Sequence, residues 1–177
     1  MNLLGPVIVE PGIDYPPLKK RETVRAIILN KHNQVLMLYS HRFLDYTFPG
    51  GGLKTDEKKE MALIRELNEE LGATKVKIIA PFGKLIEIKH GLFNPKSSYE
   101  QTSYYYLVEI EGNMKPKPNL REQADNLEPM WQDIDVCLHQ NEAVLQDVNH
   151  QAYGLRTVLI RENIILTRLK EKNHETL

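Results

Sequence analysis

Residues 51–73 read GGLKTDEKKEMALIRELNEELGA. The glycines at the start, entered through Phe48-Pro49-Gly50, stop any regular element and let the backbone approach a ligand closely. A helix is expected to follow from about Glu57 to Leu71, capped by Thr55 or Asp56 and ended by Gly72. With Glu66 set at zero and a turn of about 100° per residue, Glu69 lies near 300° and Glu70 near 40°. The three carboxylates therefore share one face. Ile64, Leu67 and Leu71 fall at roughly 100° to 160°, an adjacent apolar stripe that can anchor the helix.

Like charges one turn apart destabilise a helix by a few tenths of a kcal/mol. A divalent cation would offset that. Clustered hard oxygens suit Mg²⁺ or Mn²⁺, which use few protein carboxylates and keep water and phosphate oxygens as further ligands. Exposed amides of Gly50 and Gly51 suit the phosphate. Taken alone, Arg65 to Gly72 fits a solvated charged face equally well.

Upstream, Thr23–Leu29 and Gln34–Tyr39 read as a β-hairpin turning at residues 30–33. Arg42, just before the glycines, and Lys54, just after them, are candidate phosphate contacts, with a surface role as the alternative for each. Downstream, Lys75–Lys89 and Ser98–Glu111 read as long strands bent near Pro81 and Gly83 and joined by a loop that would carry His90. In the second, Tyr105 should face opposite to Tyr104 and Tyr106. A polar loop over 112–126 leads to a short strand at Glu128–Asp133, with Trp131 as core or wall. Two helices follow, at about Asp135–Asp147 and Tyr153–Lys170. The second carries an apolar stripe of Leu155, Val158, Leu159, Ile165, Leu166 and Leu169.

At 177 residues, one domain is expected over residues 21–177, preceded by a proline-bearing extended arm at 1–20. A net charge of -1 gives no global field toward nucleic acid or membrane, so neither is expected as a partner. One cysteine, Cys137, excludes an internal disulfide, and the first residues lack a signal-peptide pattern. A cytoplasmic protein is the expectation.

Gly51, five residues, Glu57, seven residues, then Arg65-Glu66-Leu67-x-Glu69-Glu70-x-Gly72 resembles the signature of the Nudix hydrolase family at every fixed position. Ala73 stands where a larger aliphatic is usual. The hairpin, the Phe48-Pro49-Gly50-Gly51 entry and the Trp131 strand are similar too, so the likeness spans about residues 20 to 150. It implies an α/β/α sandwich with a mixed β-sheet flanked by helices. It also implies Mg²⁺- or Mn²⁺-dependent hydrolysis of a nucleoside diphosphate linked to another group.

Carried onto this chain, the resemblance implies Glu69 and Glu70 as metal ligands. Glu66 would be a further ligand or would orient the attacking water, and the Gly51 backbone would lie near the metal. Glu57 and Arg65 would pair and hold the carboxylates in place. A further carboxylate from outside the box, as base or metal ligand, would be Glu128 before Glu122 or Glu100. Family members are often homodimers, with the arm and the last helix as candidate surfaces. Subfamily tags are mostly missing: Lys89-His90 stands where other members carry a proline or tyrosine. The substrate stays open. Two alternatives are a nucleotide-binding sensor that does not cleave, and an isoprenoid diphosphate isomerase, whose chemistry needs a cysteine beside a glutamate.

Overall fold

The computed structural model describes residues 1–14, 16–17, 19–91, 94–112, 126–149 and 152–175. The elements in chain order are β1 (Ile8–Val9), β2 (Lys19–Ile27), β3 (Val35–Ser40), β4 (Asp45–Thr47), α1 (Lys59–Leu71), β5 (Ala73–Gly91), β6 (Asn94–Gly112), β7 (Leu127–Gln132), α2 (Ile134–Gln146) and α3 (Leu155–Glu175).

The strands form two sheets rather than one. A four-stranded mixed sheet has the order β1-β5-β6-β2, and a three-stranded antiparallel sheet the order β4-β3-β7. β2 and β6 are parallel neighbours, with Thr23 opposite Ser103, while β5 and β6 form a long antiparallel hairpin. The hairpin breaks register between Pro81 and Gly83, where a bend was expected. The first residues lie on this sheet, Leu3 bridging Lys84 and β1 running parallel to β5 opposite Glu87 and Ile88, while Lys19 and Lys20, expected in the arm, already belong to β2.

Two apolar layers lie on opposite sides of the sheets. Ala62, Leu63, Leu67 and Leu71 of α1 pack with Val24, Ala26, Leu36, Tyr106 and Val108. Each fully buried leucine there contributes about 1.5–3 kcal/mol. Ile134 and Cys137 of α2 and Ile165, Leu166 and Leu169 of α3 pack with Ile27, Met37, Phe48, Leu85 and Tyr105. The result is the helix–sheet–helix layering expected. Tyr105 does point away from Tyr104 and Tyr106, because alternate strand residues reach opposite layers.

Some local expectations need correction. Neither Thr55 nor Asp56 caps α1; the cap position is Lys58, with no side-chain cap bond. Asp56 has φ 59°, and Glu57 accepts a hydrogen bond from the Lys54 amide, so residues 54–57 close a turn and the helix starts two residues late. Gly72, at φ 64°, does end it, its amide donating to the Asn68 carbonyl. His90 is buried at the end of β5 opposite Ser98, since both long strands run further than expected. Trp131 is 39% exposed on the edge strand β7, while its neighbour Met130 packs into the layer of α2 and α3. The expected 112–126 loop, with Glu122, lies almost wholly outside the described residues. Among the described residues, no helix is long and apolar enough to cross a membrane.

Candidate active site

The glycine run docks along the free edge of β2. The Val24 amide donates to the Gly51 carbonyl at 2.9 Å and the Ala26 amide to the Pro49 carbonyl at 2.8 Å, while Thr23 bridges Gly52. Gly50 has φ 132°, and a Cβ there would lie 2.0 Å from the Val24 carbonyl oxygen. Only glycine fits that approach. A Cβ on Gly51 would lie 2.4 Å from Cδ of Glu66. The backbone thus reaches the carboxylate helix through the space a side chain would fill.

Glu66 and Glu70 are buried, and both line a cleft of about 280 Å³ together with Gly50, Gly51 and Gly52. The Gly50 amide donates to Oε2 of Glu70 at 2.6 Å. Glu69 sits at the edge of the carboxylate face, its side chain 37% exposed and 3.6 Å from Arg65, outside the cleft lining.

Arg65 organises the group. Its Nε and one terminal nitrogen donate to the two oxygens of Glu57, both at 2.9 Å. It also donates to the Gly52 carbonyl at 3.0 Å and to Oε1 of Glu66 at 2.6 Å. One guanidinium therefore ties loop, helix and a cleft carboxylate together. The Arg65 bonds and the Lys54 amide hold the Glu57 carboxyl down at about 2, and the Arg65 guanidinium is raised by the same contact.

The hard oxygens of Glu66 and Glu70 beside an unobstructed Gly51 backbone suit Mg²⁺ or Mn²⁺. Among the described residues, no three His, Cys, Asp or Glu side chains form a closed metal cage. Cations of this class use one or two carboxylates and take their remaining ligands from water and substrate phosphate.

The other candidates do not gather here. Arg42 and Lys54 are exposed and outside the cleft lining, Arg42 lying over the Phe43 ring at 4.9 Å. Glu128 is bonded to His41 at 2.8 Å and Glu100 is 3.4 Å from Lys20, neither lining the cleft. Cys137 is fully buried in the core, and burial pushes its thiol up to about 12, the reverse of a reactive thiolate.

The cleft's other wall was not anticipated. It carries Arg21 and Arg25 from β2, Gln101 from β6, Lys89 from β5 and Arg161 from α3. Arg161 is 1% exposed and donates to Oε2 of Glu87 at 2.6 Å; it also bonds Glu162. Burial alone would raise the Glu87 carboxyl, but the Arg161 and Lys89 charges outweigh it and hold it at about 2. The signal was present as alternation: residues 21/23/25, 87/89 and 99/101/103 are polar on a common strand face.

A family model described as NUDIX domain matches residues 19–150. The chain belongs to the NUDIX family. Members of this family are generally dependent on a divalent metal. It is 34% identical over 91 residues to an RNA pyrophosphohydrolase of a Nitratiruptor species, covering 50% of this chain and 55% of that one. It is 43% identical over 58 residues to an 8-oxo-dGTP diphosphatase of Proteus vulgaris, covering 30% and 52%. The chain thus spans about half the length of these curated NUDIX relatives. Its structure is similar to a NUDIX hydrolase from Nitrosomonas europaea, with TM-score 0.55 and 17% identity over 89% of this chain and 90% of that one. It is also similar to a UDP-X diphosphatase, with TM-score 0.51 and 12% identity over 93% and 68%. At these identities the structural likeness is one of fold.

Proposed function

We propose that the chain is a metal-dependent pyrophosphohydrolase that cleaves a phosphoanhydride bond of a nucleotide by attack of water. The observation that carries this reading is the burial of Glu66 and Glu70 in one cleft, against a backbone that only glycines bring so close. The names of the relatives, an RNA pyrophosphohydrolase and an 8-oxo-dGTP diphosphatase, support the same bond class.

Glu66 and Glu70, with Glu69 turning in from the edge, would hold Mg²⁺ or Mn²⁺. Such a cation supplies neutralisation of the pyrophosphate oxygens and a more acidic water. The rest of the work falls to the chain. Arg65 fixes the orientation of Glu66 through one bond while Glu57 fixes Arg65 through two. The Gly50 amide holds Glu70 in the same way. A carboxylate left without a cation accepts a proton from the attacking water, and the basic wall takes charge on the departing phosphate. No covalent intermediate is required, and no nucleophilic side chain is used.

The test is incubation with Mg²⁺ or Mn²⁺ and a panel of nucleoside triphosphates, nucleotide sugars, ADP-ribose and dinucleoside polyphosphates, with products resolved by chromatography. Cleavage that needs the metal and disappears in Glu70→Gln is the expected result. Binding without turnover of any compound, at wild-type Glu70, would instead mark a sensor.

A further inference from the structure

Lys89 is a buried cation of the cleft whose counter-charge, Glu87, is too far away for a hydrogen bond. Its side chain is 4% exposed, yet it lines the cleft. Its nearest counter-charge is Oε1 of Glu87 at 3.5 Å, and that oxygen has no hydrogen-bond partner. The other Glu87 oxygen is already shared by Arg161 at 2.6 Å and Gln101 at 3.0 Å. The Lys89 ammonium also lies 6.0 Å from the centre of the Tyr99 ring, and its stem would be 3.2 Å from a Cβ on Gly154, so it is packed in place. A buried ammonium with unspent donors is costly unless something pairs with it.

A second cation repeats the pattern. Arg25 donates through one nitrogen to the carbonyls of Phe48 and Gly50, which neutralise no charge, and its buried Nε has no partner. Lys89, Arg25, Arg21 and Arg161 line the cleft, and among the described residues Glu87 pairs with Lys89 and Arg161, and Glu162 with Arg161. The β2, β5 and α3 side of the cleft is therefore rich in cations, with Arg25 bonded to the glycine run itself.

We propose that Lys89, backed by Arg25, forms an anion subsite that binds a phosphoryl group of the substrate other than the one engaged at Glu66 and Glu70. The subsite makes Lys89 a specificity residue: it favours substrates whose diphosphate carries a further charged phosphate over those ending in a neutral sugar. This preference rests on the hydrolase reading; anion binding at Lys89 does not.

The probe is inorganic pyrophosphate, titrated calorimetrically into the protein in excess EDTA, so that no metal contributes. Wild type should bind it, and Lys89→Gln should weaken binding about tenfold to a hundredfold, the loss of one or two charge-assisted bonds. Lys89→Arg should recover part of it. Equal binding by wild type and a folded Lys89→Gln, or no binding by wild type, would overturn the subsite. Should Lys89→Gln fail to fold, the unmodified protein serves: pyrophosphate should slow acetylation of Lys89, read by peptide mass spectrometry, and unchanged labelling overturns the proposal. Turnover assays separate the two readings. KM for a nucleoside triphosphate, free or at an oligonucleotide 5′ end, should rise in Lys89→Gln with KM for a nucleotide sugar unchanged. If nothing is turned over while pyrophosphate still binds through Lys89, the hydrolase reading fails and the subsite stands.

Discussion

Glu57 and Arg65 are joined by two hydrogen bonds of 2.9 Å, from Nε and from a terminal guanidinium nitrogen to separate carboxylate oxygens. The pair lies behind the cleft, not in its lining, yet Arg65 passes its order on to Glu66 at 2.6 Å. Lysine cannot reproduce that fork. Arg65→Lys should lower turnover about tenfold to a hundredfold with the circular dichroism spectrum retained. Steady-state kinetics on the substrate found in the panel would check it; wild-type kcat in Arg65→Lys would remove the ordering role.

The same pair sets an acid limit. The Glu57 carboxyl is held at about 2, below its ordinary value, by its bonds to Arg65 and the Lys54 amide. Its stabilising contribution is therefore complete above the unfolded carboxylate value of about 4.3 and is lost as pH falls through about 2. Thermal melts of wild type and Glu57→Gln should differ at pH 6 and converge toward pH 2. A gap that stays constant from pH 6 to pH 2 would contradict this.

Two neighbouring glycines should fail differently. Alanine at Gly50 meets the fixed carbonyl of Val24 and a φ of 132°, so Gly50→Ala should cost about 2–5 kcal/mol in denaturant unfolding. Alanine at Gly51 meets the end of the Glu66 side chain, which can move. Gly51→Ala should keep the fold and lose about a hundredfold in rate by misplacing that carboxylate. Similar stability losses in both variants would show that Gly51 serves packing instead.

Arg161 lies between two buried carboxylates, Glu87 and Glu162. Removing one partner of a buried ion pair costs about 3–5 kcal/mol, since the remaining charges stay desolvated. Arg161→Met should lower the calorimetric Tm by about 6–20 °C. A Tm within a degree or two of wild type would mean that the network is already open to water.

The carboxylate helix was legible because its spacing, its glycines and its apolar stripe all point to one arrangement. Leu67 and Leu71 are buried as the stripe requires, with Ile64 exposed at its margin and Leu63 buried in its place, and Gly72 stops the helix as expected. The basic wall was not legible. Polar residues alternating on a strand usually mark a solvated face, and Arg161-Glu162 reads as an interruption of an apolar stripe. Their burial depends on how α3 crosses the β5–β6–β2 face, which has no local signature. Glu128 was favoured for its nearness to Trp131, but three residues apart on a regular strand the two side chains lie on opposite faces, and Glu128 is exposed and pairs with His41. The order of the three carboxylates follows the helix turn: Glu66 and Glu70 are about 40° apart, whereas Glu69 lies about 100° from Glu70 and stays at the edge.

The most direct measurement is Mn²⁺ binding followed by electron paramagnetic resonance of the free ion, with hydrolysis of the best nucleotide substrate measured in the same samples. Wild type should bind Mn²⁺ and turn over. Glu66→Gln with Glu70→Gln, folded by circular dichroism, should lose both metal affinity and turnover. A double variant that still hydrolyses the nucleotide at the wild-type rate would contradict the assignment of this cleft as the active site.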